Sequence, residues 1–128
     1  MIYLDTSAAV KTLIDERATE AVQDLFARHV EFTSSRLLAV ELHAVADRRK
    51  LTPADVDELL ARVALLPLDD ETLDSAVQLH SGLRTLDALH LATAHGIAKT
   101  ITGLLSFDRE LTGAARTLGL PIHPLSEG

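Results

Sequence analysis

Short apolar runs alternate along this chain with stretches whose apolar residues recur roughly every three to four positions, a pattern that predicts an α/β domain with a largely parallel sheet. Residues 1–4, Met-Ile-Tyr-Leu, read as a buried first strand. Residues 7–14 and 19–29 read as helices, and 30–34 as a second strand. A strong helical pattern covers 36–50. Thr52-Pro53 then supplies a cap followed by proline at the first helical position, opening a helix to about residue 64. Residues 65–68 predict a third strand, and Asp69 or Asp70 caps a helix ending near Gly82. A further helix is expected over 85–98, a strand over 101–107, a helix over 108–118 and a short last strand over 120–125, cut by Pro121 and Pro124. No linker, repeat or low-complexity tract interrupts the pattern.

The length of 128 residues suits one domain with one core, and 47% hydrophobic against 24% charged residues is the balance of a folded globule. The absence of cysteine excludes disulfides, zinc–thiolate sites, iron–sulfur clusters and thiol nucleophiles. With no Trp, one Tyr and three Phe, an aromatic platform for stacking bases is not expected. The start Met1-Ile2-Tyr3-Leu4-Asp5 lacks the basic and apolar regions of a signal peptide, and no apolar stretch is long enough to span a membrane. A cytoplasmic protein is the expectation.

A net charge of −7 argues against a protein that coats nucleic acid, unless bound cations or local basic patches intervene. Arg48-Arg49-Lys50 is one such patch, although a basic helix C-terminus favoured by the helix dipole explains it as well; Lys11, Arg36 and Arg84 are scattered additions.

Most of the nineteen acids fall on expected solvated faces, and four do not. Asp5 directly follows an apolar strand, at the carboxyl edge where open α/β sheets bind ligands. Asp108 repeats that position after residues 101–107. If those strands are neighbours, their ends lie about 5 Å apart and both carboxylates can reach one ion. Each also suits a helix N-cap, and that reading stays open. Asp87 shares a helical stripe with Leu83, Leu91 and Ala94, where a carboxylate must be neutralised, paired or bound to a cation. Glu41 lies beside Leu38, Leu42 and Val45, at a margin from which a Glu can also reach water. Together the four acids predict a site for a hard divalent cation such as Mg²⁺ or Mn²⁺, which activates water and stabilises charge on phosphate.

Other polar residues carry less. His43, His80, His90 and His95 form no zinc-binding pair, and His90 reads as a core or boundary histidine one turn from Asp87. Gly103, Gly113 and Gly119 make no phosphate loop; Gly119-Leu120-Pro121 reads as a helix stop. Arg84 fits an ion pair with Asp87 or another acid as well as a contact to nucleic acid.

Tyr3-Leu4-Asp5-Thr6-Ser7, Ala39-Val40-Glu41-Leu42, the run from Leu83 through Asp87-Ala88-Leu89-His90 to Ala94, and Leu105-Ser106-Phe107-Asp108 resemble the ordered motifs of PIN-domain ribonucleases. The whole chain is most similar to the VapC toxins of toxin–antitoxin pairs. The resemblance implies a single PIN domain over residues 1–128, a three-layer α/β/α fold with a central parallel sheet in strand order 3-2-1-4-5, and Mg²⁺- or Mn²⁺-dependent cleavage of RNA. It implies Asp5 and Asp87 as main metal ligands, Asp108 and Glu41 completing the site, and Thr6 and Ser106 as supporting hydroxyls. It further implies a homodimer silenced by a VapB-like antitoxin. Leu37, Leu38, Leu59, Leu60, Val63 and Leu66 offer apolar surface for self-association, or for the core.

Two other readings compete. An aspartyl-phosphate protein would use Asp5, but the phosphatase pattern wants a second Asp where Ser7 stands, and the receiver pattern wants a late Lys after a strand, whereas the last Lys is Lys99. A binding module would use the acids only as caps and surface groups.

Overall fold

The computed structural model describes residues 1–15 and 17–127. Its first strand, β1 (Ile2–Leu4), lies at the middle of a parallel sheet of order β3-β2-β1-β4, formed with β2 (Phe32–Ser35), β3 (Val63–Leu66) and β4 (Gly103–Leu105). All three residues of β1 are buried, as expected for a strand covered on both faces. Side-chain alternation then divides the core. Ile2 and Leu4 join one apolar cluster with residues of α1 (Thr6–Ala9), α2 (Thr19–Ala27), α3 (Leu37–Arg49) and α4 (Pro53–Leu60). Tyr3 joins a second cluster with α6 (Thr85–Gly96) and α7 (Arg109–Thr117), while α5 (Asp70–Gln78) packs against α6. Helices thus cover both faces. The polar run of β2 is accommodated because its buried hydroxyls bond to the backbone: Thr33 Oγ1 donates to the Ala64 carbonyl at 2.8 Å and Ser34 Oγ to that of Leu4 at 2.6 Å.

Parallel register brings the strand ends together. Leu4 pairs with Leu105, and the next step joins Asp5 N–H to the Leu105 carbonyl at 3.0 Å. Asp5 and Ser106 therefore emerge side by side at the carboxyl edge of the sheet.

The first helix is shorter than expected: α1 gives way to a 3-10 turn over Val10–Thr12. The helix opened by Pro53 ends at Leu60, and β3 starts two residues before the predicted position, stopping before Pro67. Thr52 stands at the cap position but makes no side-chain cap bond. Gly119 adopts φ +80° just after α7, the helix stop read from the sequence.

The expected fifth strand requires correction. Among the described residues the sheet has four strands, and the segment after α7 makes only an isolated parallel bridge between Ile122 and Leu104. Pro121 and Pro124 lack N–H donors, so this segment cannot sustain a ladder; Pro124–Glu127 folds into a 3-10 turn. It nevertheless lies against β4, with Leu104 N–H donating to the Pro121 carbonyl at 2.8 Å and His123 N–H to the Leu104 carbonyl at 2.9 Å. Of the six apolar residues read as possible self-association surface, Leu38, Leu59 and Val63 are core, and Leu37, Leu60 and Leu66 are half-buried. No described helix is long and apolar enough to cross a membrane.

Candidate active site

Asp5 leaves β1 in an extended conformation and caps α1, as the structural alternative required, yet the cap bond from Ser7 N–H is long at 3.4 Å. Shorter bonds reach the same oxygen: Ser7 Oγ donates to Asp5 Oδ2 at 2.7 Å and Ser106 Oγ at 2.8 Å. The residue is only 3% exposed, and its Oδ1 faces His90 Nε2 at 3.8 Å. Asp108 is likewise a cap, its Oδ1 accepting from Glu110 N–H at 2.9 Å and Leu111 N–H at 3.2 Å.

Two serines cross-tie these strand ends. Ser7 Oγ accepts from Phe107 N–H at 2.9 Å, and Ser106 Oγ accepts from Asp108 N–H at 3.0 Å, while both hydroxyls donate to Asp5. Capping and site formation are therefore compatible, because one carboxylate oxygen serves each helix and the other is left to the site.

Asp87 comes from the first turn of α6, whose Leu91 and Ala94 are buried as the stripe predicted. Burial pushes the Asp87 carboxyl up to about 6, helped by the charges of Asp108 and Asp5 and a hydrogen bond shared with Asp108, against a weaker pull from His90. Three acids from three separate elements thus feel one another directly. Glu41 approaches from α3: its Oε1 accepts from Thr6 Oγ1 at 2.7 Å and lies 2.7 Å from His90 Nε2.

The sequence reading undervalued His90. It is fully buried, but within the site: Nδ1 lies 2.8 Å from the Tyr3 hydroxyl and Nε2 reaches Glu41 and, at 3.3 Å, Thr6. Burial alone pushes the imidazole pKa down; the Glu41 hydrogen bond and the charges of Asp5, Glu41 and Asp87 outweigh it and hold it above the ordinary value. Its spacing from Asp87, one helical turn, was the available signal. Ser7 was also missed as a site residue, although two positions after a strand-end Asp is where a hydroxyl can fold back onto the carboxylate. That same serine replaces the second Asp of the phosphatase pattern.

The structure brings together Asp5, Asp87, Asp108 and Glu41, with Thr6 on Glu41 and Ser106 on Asp5. It does not bring Arg84 to Asp87. Arg84 is exposed at the N-cap of α6, and no ion pair joins the two among the described residues. The donor set of the four acids is all oxygen, which suits a hard divalent cation, and their clustering concentrates negative charge that such an ion would relieve. Among the described residues, no group of three or more acids or histidines stands close enough together to hold a metal ion without side-chain adjustment.

Residues 2–116 match the PIN domain family. The chain is 36% identical over 123 residues to Ribonuclease VapC46 of Mycobacterium tuberculosis, covering 94% of this chain and 95% of that protein. Among solved structures it resembles M. tuberculosis VapC20, a toxin that cleaves the sarcin–ricin loop, with TM-score 0.69, 20% identity and coverage of 89% and 95% of the two chains. It also resembles a chain of a Klebsiella pneumoniae toxin–antitoxin complex, with TM-score 0.71, 18% identity and coverage of 88% and 92%. The shared α/β fold, the acids at its carboxyl edge and the full-length similarity agree: the chain belongs to the PIN-domain family, among the VapC ribonucleases.

Proposed function

We propose that this chain is a divalent-metal-dependent endoribonuclease, one PIN domain acting as the cytoplasmic toxin of a VapBC-type pair, and that Asp5, Asp87, Asp108 and Glu41 form its catalytic centre. The observation that carries the reading is the convergence of four carboxylates from separate elements at the carboxyl edge of the sheet: Asp5 tied to Ser7 and Ser106, Asp87 sharing a hydrogen bond with Asp108, and Glu41 and Asp5 both facing His90. Asp5 and Asp87 would hold Mg²⁺ or Mn²⁺, with Asp108 and Glu41 completing the site directly or through water. When bound, the ion supplies Lewis-acid stabilisation of phosphate charge and a more acidic water.

The chain's own residues supply order. Ser7 and Ser106 fix Asp5 Oδ2 and leave Oδ1 to the site. Thr6 and His90 both bond to Glu41 Oε1, so that carboxylate is oriented from two sides, and Tyr3 in turn fixes the imidazole. No side chain need act as nucleophile. A homodimer fits the exposed Val40, Leu73, Val77 and Leu86, and an acidic site fits an antitoxin segment bearing Arg or Lys.

The purified protein is expected to cut structured RNA with Mg²⁺ or Mn²⁺ and to stop with EDTA. Full cleavage by Asp5→Asn and Asp87→Asn would refute the assignment.

A further inference from the structure

Four of the chain's twelve basic residues converge on one pocket beside the acids. Lys11, Arg17, Arg109 and Arg116 line a cavity of about 490 Å³ together with Phe107 and Glu127. Phe107 and Arg109 flank Asp108 in the chain, so the pocket begins where the acid cluster ends. The concentration of positive charge is notable because the molecule carries −7 overall.

Arg109 is the cation whose placement the helix it sits on does not favour. It opens α7, at the positive end of the helix dipole, whereas Arg116 lies in the favourable last turn of the same helix. Arg109, Thr112 and Arg116 recur at i, i+3 and i+7, which puts them on one stripe of α7 facing the cavity. Lys11 Nζ lies 5.3 Å from the centre of the Phe107 ring, a cation–π arrangement that sets its ammonium at the cavity wall. Arg116 is engaged by the Glu127 carboxylate, an anion from the chain's own last turn.

From this we infer that the pocket is a phosphate subsite for the RNA strand, and that Glu127 occupies Arg116 until an RNA phosphate displaces it. The inference rests on the ribonuclease reading above and adds to it the means by which a polyanion is held against an acidic centre. A strand crossing four carboxylates is repelled by any charge the bound ion leaves uncompensated; cations beside them restore attraction and fix the strand's register. An acidic peptide has the same charge, but a partner segment fitted to four acids is basic and is repelled here. RNA is the occupant the charges favour.

The test measures binding of a short fluorescein-labelled RNA of mixed sequence across a salt series, with Asp87→Asn as the background that prevents cleavage. Arg109→Gln/Arg116→Gln in that background should weaken binding about 10-fold or more at low salt. The slope of log affinity against log salt should fall by about 0.7 for each cation lost from a single-stranded RNA contact. In the otherwise native protein the same pair should raise KM with kcat little changed, the signature of uniform binding. Glu127→Gln should tighten binding, and unchanged affinity in that variant would overturn the competing role of Glu127. Arg109→Lys/Arg116→Lys, which retains charge, should preserve the slope, and thermal melting of each variant confirms a folded sample.

If the native protein cleaves RNA while the Gln pair leaves affinity and slope unchanged, the subsite is wrong and the nuclease reading stands. If the native protein cleaves no RNA with either metal, the nuclease reading fails, whatever the pocket binds. If the Gln pair keeps RNA affinity and loses only binding of an acidic peptide, the pocket serves a protein partner and the proposal is overturned.

Discussion

Asp87 is where residue-scale electrostatics can be measured most directly. An Asp carboxyl titrates ordinarily near 3.8, whereas here burial and the charges of Asp108 and Asp5 hold it to about 6. Between those values the native state binds the proton that the unfolded chain has released. The contribution therefore favours the fold below about pH 4 and is lost as pH rises through 6. His90, whose pKa is raised, acts in the same direction at higher pH. In EDTA, native protein should thus lose urea resistance relative to Asp87→Asn between pH ~4.5 and ~6.5, by about 1 kcal/mol after allowing for the partial exposure of Asp87. Parallel pH profiles for the two proteins would contradict the assigned field. The acids themselves were legible because each sits in a local pattern: a strand end for Asp5 and Asp108, an apolar stripe for Asp87. Their supports were less so. Ser106 reaches Asp5 across 101 positions, and His90 reaches Glu41 across 49, separations that no window of the sequence joins.

At the scale of elements, one residue can serve two structures, and substitution separates them. Asp108 both caps α7 and faces Asp87. Asn caps about as well as Asp, so Asp108→Asn should leave the melting temperature nearly unchanged while lowering cleavage by 10-fold or more; Asp108→Ala should lose about 1 kcal/mol of stability as well. Equal stability losses in both variants would mean that charge, rather than capping, holds the helix start. The other instructive element is the predicted last strand. A short strand cut by Pro121 and Pro124 is the expectation, but the prolines allow only a bridge, and close approach replaces the ladder. A Cβ at Gly103 would stand 3.0 Å from the His123 nitrogen and 3.1 Å from its Cα. Gly103→Ala should force the segment away from β4, costing about 1–3 kcal/mol. It should also speed hydrogen exchange at Ser106 N–H, which donates to Ser126 Oγ at 3.1 Å. Unchanged exchange there would show that the segment is not what holds the end of β4. Helix ends and the start of β3 shifted by a few residues for a simpler reason: pattern marks which face is buried, while hydrogen bonds to distant partners decide where an element stops.

For the whole molecule, the strand order placed β1 next to β4, and this single feature of topology turns two separate strand-end acids into neighbours. The fold therefore assembles like charges at its carboxyl edge, and on the proposed assignment a bound cation would relieve their repulsion. That arrangement makes stability a reporter of the site. An ion that binds the native state and not the unfolded chain stabilises by RT ln(1 + [L]/Kd), about 2.7 kcal/mol at a free concentration one hundred times Kd. Adding Mn²⁺ or Mg²⁺ to EDTA-treated protein should raise the melting temperature in proportion to the logarithm of the ion concentration once the site is saturated. Asp5→Asn and Asp87→Asn should each flatten that dependence, because each removes a ligand on the proposed assignment. Asp87→Asn also relieves repulsion and burial of charge, so its metal-free form should melt higher than the metal-free native protein near neutral pH. Both halves must hold together: weaker response to the ion with no loss of intrinsic stability separates a metal ligand from a residue that only supports the fold. A melting temperature indifferent to millimolar divalent ions in the native protein would leave the four acids as caps and surface charges.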